Sequence, residues 1–259
     1  MNIISLARQT FQLGRHSKLI SIGVIVGCAV ILLVMGGTSI GVKRPVADAL
    51  SLGLWLTMAI STILSAVVPV QLICNERHNR AIYLTLSLPV SRTAYILGRW
   101  FGCWAIVSVV SFAMLLMTSA LAGVLVLSTS DKLLPSFLPV IYLQFLEIGA
   151  VTAIAVMFAA YTTPVLATLY TLAVALASHF AEDVERMSRA RGATETIKSV
   201  WKSIIPIFPD MSIFDVRTNV AMGFSINPDI YLWAPIFGAA LAGVAISIAV
   251  IIFQSQDVK

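Results

Sequence analysis

A carboxylate inside an otherwise uncharged apolar run is the first feature of this sequence with chemistry to explain. Glu147 stands within Phe137 to Ala160, and Gln144 lies one turn earlier on the same helical face. At that depth a carboxylate must face protein or a water-filled path, where it can pass a proton, hold an ion or order the packing of helices. A second grouping, His179, Glu182 and Asp183 at i, i+3 and i+4, falls on one face of a helical turn and has donor types that bind metals. A polar helix end reaching water accounts for the same three residues more simply, and no metal site is expected.

Catalytic signatures are otherwise missing. The sequence contains no G-x-S-x-G, H-E-x-x-H or G-x-x-x-x-G-K-[ST] pattern, so the serine hydrolase, zincin and P-loop readings have no support. The three histidines, His16, His78 and His179, all fall near the ends of apolar runs, which disfavours an intramembrane hydrolase. Cys28, Cys74 and Cys103 sit in or beside apolar runs without CxxC spacing and read as small buried hydrophobes. Catalytic residues, bound cofactors and metals are therefore not expected in this chain, and any ATP that drives it must bind to another one.

Composition decides what must position these residues. Of 259 residues, 59% are hydrophobic and 11% charged, against about 25% charged in an ordinary soluble domain. Mean hydropathy is +0.94. A bilayer core of about 30 Å needs roughly 20 apolar residues in a helix. Runs of that kind predict an all-α, polytopic integral membrane protein forming a single membrane domain over residues 1–259. The net charge of +5 lies between the apolar runs, where membrane topology explains it without nucleic acid.

Six spans are expected, at about 19–35, 50–73, 96–127, 137–160, 165–180 and 230–253. Pro69 should kink the second, and Pro164 separates the fourth from the fifth. The first apolar run lacks an A-x-A-like site and is expected to stay as a membrane helix. Before it, residues 1–18 mix Ile3, Ile4, Leu6 and Phe11 with Arg8, Arg15 and Lys18, which predicts an amphipathic helix at the membrane surface. Trp100 and Trp104, near the start of the third span, suit the interfacial aromatic belt. Residues 182–229 form a long loop before the last span; the apolar face of its first part, with Trp201, suits the outer membrane boundary.

Charge sets the orientation. With both termini inside, the inner segments carry eight basic and two acidic residues, a net +6, whereas the outer segments carry nine of each. The positive-inside rule therefore predicts cytoplasmic termini and an extracytoplasmic 182–229 loop. Small residues such as Gly149, Ala153, Gly238 and Gly243 permit close helix approach, mainly within the subunit.

Residues 75–95 are the most polar short connector. Glu76-Arg77 is followed by the apolar stretch Ile82 to Leu88, then Pro89-Val90-Ser91-Arg92 and Tyr95-Ile96-Leu97-Gly98-Arg99. This pattern resembles the permease subunits of type-2 ATP-binding-cassette exporters, where an acidic residue, a leucine-rich turn and a "P-x-S-R … G-K/R" stretch follow the second span. In the last loop, Pro209-Asp210-Met211-Ser212-Ile213-Phe214-Asp215 is similar to the family's "P-N-L-x-x-F-D" stretch, with Asp210 in place of Asn and Met211 in place of Leu. The resemblance implies a half-transporter that pairs with a second permease copy or paralogue in the lipid membrane. Separate ATPase subunits would hold ATP and magnesium beneath it. Residues 75–95 would be the coupling segment: Arg77, Arg80 and Arg92 would meet acidic ATPase groups, Ile82, Leu84 and Leu86 would fill a groove, and Glu76, Pro89 and Ser91 would shape the flanks. An ion-coupled secondary transporter using Glu147 is the alternative, although such folds need several midplane polar groups and broken helices.

Overall fold

The computed structural model describes residues 3–15, 18–38, 45–78, 91–129, 137–189 and 209–255. Among them the chain is helical, without strands: α1 (Ile3–Arg15), α2 (Lys18–Thr38), α3 (Pro45–His78), α4 (Arg92–Thr129), α5 (Leu138–Ala159), α6 (Pro164–Arg189), a 3-10 turn (Met211–Phe214), α7 (Arg217–Met222) and α8 (Ile230–Ser255). Four stretches are long and apolar enough to cross a membrane: Val46–Arg77, Arg92–Val124, Leu138–Ala159 and Ile230–Ser255. Two further apolar stretches, Ile20–Val34 in α2 and Pro164–His179 in α6, are shorter than the length expected of a span. Residues 79–90 and 190–208 lie outside the described residues, and with them the expected apolar face around Trp201.

The bundle is organised around α5. Fourteen of its residues are buried, among them an unbroken stretch from Glu147 to Val156, and α3, α4, α6 and α8 all pack on it. Pro139 sits in its first turn, where a missing N–H costs nothing. Its far end closes through a turn at Ala160 to Thr163, and Pro164 opens α6. On α3, Thr57, Ser61, Thr62 and Ser65 are all buried. Three of them satisfy their own hydroxyls on backbone carbonyls one turn back, which lets polar side chains line an interior seam at little cost.

Amphipathic α1 does not present its apolar face only to lipid. It runs parallel to the first half of α4, with Ile3 and Leu6 against Gly98, Ala7 and Thr10 against Gly102, and Gly14 against Ile106. Gly98 and Gly102 form a G-x-x-x-G pair that brings the backbones together. A Cβ on Gly102 would lie 2.8 Å from the Ala7 carbonyl oxygen, so a larger residue would push α1 away.

The last loop is more than a solvated connector: residues 209–223 pack among α3, α5, α6 and α8, with Asp210, Thr218, Asn219, Met222 and Gly223 exposed. Pro209 lines a small cavity with Ile154, Val174 and Ala245, and Phe214 packs against Gly238 and the Phe237 ring. Met211, Phe214, Val216, Val220 and Ala221 are buried, which explains why this segment prefers the interior. Irregular backbone is tolerated within a bundle only if its polar groups are satisfied. Here the Asp210 carboxylate accepts from Ser212 N–H, and Ser212 O accepts from Asp215 N–H. Gly223, at φ 74°, ends α7 in a left-handed cap, with Phe224 N–H donating to Asn219 O.

Candidate functional site

Glu147 occupies the centre of a buried cluster to which four segments contribute. The Arg217 guanidinium, on α7, lies 2.5 Å from Glu147 Oε2. His179 Nε2, on α6, lies 3.1 Å from Oε1, and the Thr62 hydroxyl, on α3, donates to the same oxygen at 3.5 Å. Asp215 Oδ1 accepts from the Arg217 N–H and lies 3.2 Å from the guanidinium. The Glu147 and Arg217 side chains are 2% and 1% exposed, a depth at which an unpaired charge is very costly. Glu147 is thus fully engaged, and the inserted segment supplies its counter-charge.

This arrangement revises two expectations. His179 does not reach outward with Glu182 and Asp183; its side chain is 6% exposed and directed to Glu147. The side chains of Glu182 and Asp183 lie outside the described residues, among which no group of three or more metal-binding side chains occurs. Arg217 is likewise buried against Glu147 and is not a solvated loop charge.

One turn away, Gln144 joins three helices: its Nε2 donates to Ser61 Oγ on α3 and to Ser111 Oγ on α4, both at 2.8 Å. Trp100 and Trp104 turn out to serve the same contact between α4 and α5. Their indole N–H groups donate to Gly149 O at 3.0 Å and Phe145 O at 2.9 Å, and the Trp104 ring covers the bare face of Gly149. The two rings stack on each other, and Trp104 also meets the Phe145 ring.

A second ionic junction occupies the end of the bundle where α3 finishes and α4 begins. Glu76 pairs with Arg99 and accepts from the Tyr95 hydroxyl at 2.6 Å. Arg99, 1% exposed, also donates to Thr10 Oγ1 on α1 at 2.7 Å. Arg77 donates to the last carbonyls of α5, on Ala159 and Ala160, and Arg92 donates to Phe253 O and Gln254 O at the end of α8, both at 3.0 Å. Cations at helix C-termini also complement the macrodipole. Ser91 caps the first turn of α4 by accepting from Ala94 N–H.

Of the coupling residues named from the sequence, Glu76, Arg77, Ser91 and Arg92 therefore bind this chain's own helix ends. Arg80, Ile82, Leu84, Leu86 and Pro89 lie outside the described residues. Of the loop residues, Pro209, Asp210, Phe214 and Asp215 all belong to the inserted segment. Tyr95 and Arg99 fall in the connector motif without being assigned a role there, and Arg217 is a site residue that no reading of the sequence singles out. Phe214, Val216, Val220 and Ala221 near Arg217 are a faint signal of burial, set against Asp215, Thr218 and Asn219 in the same stretch. The sequence matches no family model and no curated protein.

Proposed function

We propose that this chain is the permease subunit of an ATP-binding-cassette transporter of the type-2 exporter class. It pairs with a second permease and with separate ATPase subunits to move a substrate across the membrane or to transmit ATP-driven motion. ATP and magnesium belong to those subunits. In this reading α2, whose 21 residues reach about 31 Å, and the apolar part of α6 also span the bilayer. The chain then crosses it six times, in a bacterial inner membrane with both termini cytoplasmic, and α1 lies at the inner boundary against α4.

The observation that carries the proposal is the junction around Glu76 and Arg99. It immediately flanks residues 79–90, the segment that would contact an ATPase. Through Glu76, Arg99, Tyr95 and Thr10 it joins α1, α3 and α4, while Arg77 and Arg92 fasten the ends of α5 and α8 to the same place. A push on the connector would thus move five helices together, as coupling by a rigid contact requires. The pairing of Glu147 with Arg217 weighs against the ion-coupled alternative, since a carboxylate neutralised by a buried guanidinium is not free to take up a cation.

Affinity capture of the tagged chain from membranes of its own cell tests this reading. A P-loop ATPase should be retained in mild detergent and lost on Arg80→Glu. Arg80 is the better reversal than Arg92, whose replacement would also uncap α8. Failure to retain any ATPase across mild detergents and nanodiscs would overturn the proposal.

A further inference from the structure

The first two helices carry cations that the chain does not pair. Arg8 on α1 and Lys18 at the start of α2 are exposed, and neither meets a carboxylate among the described residues. The described acidic side chain at this end of the bundle, Glu76, is engaged by Arg99 and Tyr95. Arg8 also stands in apolar surface. Ile4, one turn before it on the same face, is 81% exposed, and Phe11, one turn after it, is half-buried.

The packing of α1 sets its depth. Its contacts on α4 advance from Gly98, against Ile3 and Leu6, to Ile106, against Gly14. Those two positions lie about 9 Å and about 21 Å along α4 from its start at Arg92. With 38 residues, α4 is about 57 Å long, well beyond a hydrocarbon core of about 30 Å. Shared between the two ends, the excess puts the edge of the core about 13 Å from Arg92, between the two contacts. α1 therefore straddles the level at which headgroup phosphates meet acyl chains. At that level the anions open to an exposed cation are lipid phosphates, and lipid, rather than a subunit docked in water, is the partner that fits.

We propose that this edge of the bundle binds anionic phospholipid, with Arg8 and Lys18 holding headgroup phosphate and an acyl chain lying along Ile4 and Phe11. The close contact of α1 with Gly98 and Gly102 holds the helix in place beforehand, so little ordering remains to be done on binding. A zwitterionic lipid offers the same phosphate but cancels its charge, so net negative charge sets the preference. Such attraction is a factor of about five for each lysine or arginine near an anionic surface. The inference needs only that α4 spans the membrane, and it holds whether or not an ATPase docks.

Photocrosslinking of the full chain, purified alone in phosphatidylcholine nanodiscs, tests the site. Two trace probes carry the same diazirine near the glycerol end of one acyl chain, one on phosphatidylglycerol and the other on phosphatidylcholine. Phosphatidylglycerol should label peptides spanning residues 3–20 at least about fivefold more than phosphatidylcholine, and high salt should shrink the difference. Arg8→Gln/Lys18→Gln should lose most of the preference. Arg8→Lys/Lys18→Arg, which keeps both charges, should retain it. Equal labelling of the wild-type chain by the two probes would overturn the proposal, as would an undiminished preference in Arg8→Gln/Lys18→Gln, which would assign it to other cations. So would the absence of label from these peptides, which would mean that protein, such as a second copy, covers α1.

Discussion

The Arg217 guanidinium and the Glu147 carboxylate meet at 2.5 Å across 70 positions of sequence, and both are sealed from solvent. The pair fastens the inserted segment to the central helix, with His179 and Thr62 holding the other carboxylate oxygen. Neither charge is stable there without the other.

Removing one partner should therefore cost much more than removing both. Glu147→Gln or Arg217→Met alone is expected to lower unfolding stability in micelles by about 3–5 kcal/mol, the usual penalty for stranding a buried charge. The double variant Glu147→Gln/Arg217→Met should recover most of that loss. Single effects that simply add in a denaturation series would show that the two groups do not depend on each other.

Segment insertion has its own signature. Val220 is buried and Ser225 exposed, so Val220→Cys should resist a membrane-impermeant maleimide and Ser225→Cys should react. Equal, rapid labelling at both positions would place the segment in solvent.

At the other ionic junction, charge exchange is the sharper probe. Glu76→Arg or Arg99→Glu should each destabilise the chain by several kcal/mol, as breaking a buried pair does. Combining them should restore part of the loss, measured as the midpoint of thermal aggregation in detergent. A combined variant no better than the worse single one would mean that Tyr95 and Thr10, rather than charge pairing, define the junction.

The close approach of α1 to α4 predicts a contrast between glycines. Gly102→Leu meets backbone at Ala7 and should free α1 for proteolysis, at a cost of about 1–3 kcal/mol. A Cβ on Gly243 of α8 would meet nothing within 4 Å among the described residues, so Gly243→Leu should leave the protease pattern unchanged.

What is legible in the sequence follows from the range of each signal. Apolar runs are local, so the helical class and the long helices can be read: the expected 137–160 and 230–253 correspond to Leu138–Ala159 and Ile230–Ser255, whereas 50–73 and 96–127 miss the polar first turns of Pro45–His78 and Arg92–Thr129. Glu147 and Gln144 also stand out locally, because charge and amide groups are rare in such runs. Their partners do not. Arg217 looks like a loop charge because Asp210, Asp215 and Asn219 surround it in sequence, and only tertiary packing shows that Phe214 and Val220 carry it inward. Trp100 and Trp104 stand near a span end, which suggests the headgroup belt, but their acceptors on Gly149 and Phe145 of another helix cannot be read from the sequence. The G-x-x-x-G at Gly98 and Gly102 is visible too, but it is masked by the richer small-residue content of α5 and α8.

The mass of the intact assembly released from native nanodiscs tests the proposed function most directly. Two copies of this chain, or one with a paralogue, should appear with two P-loop ATPase subunits, and Arg80→Glu should leave a pair of permeases alone. A wild-type mass accounted for by this chain and lipid, with no ATPase in any preparation, would contradict it.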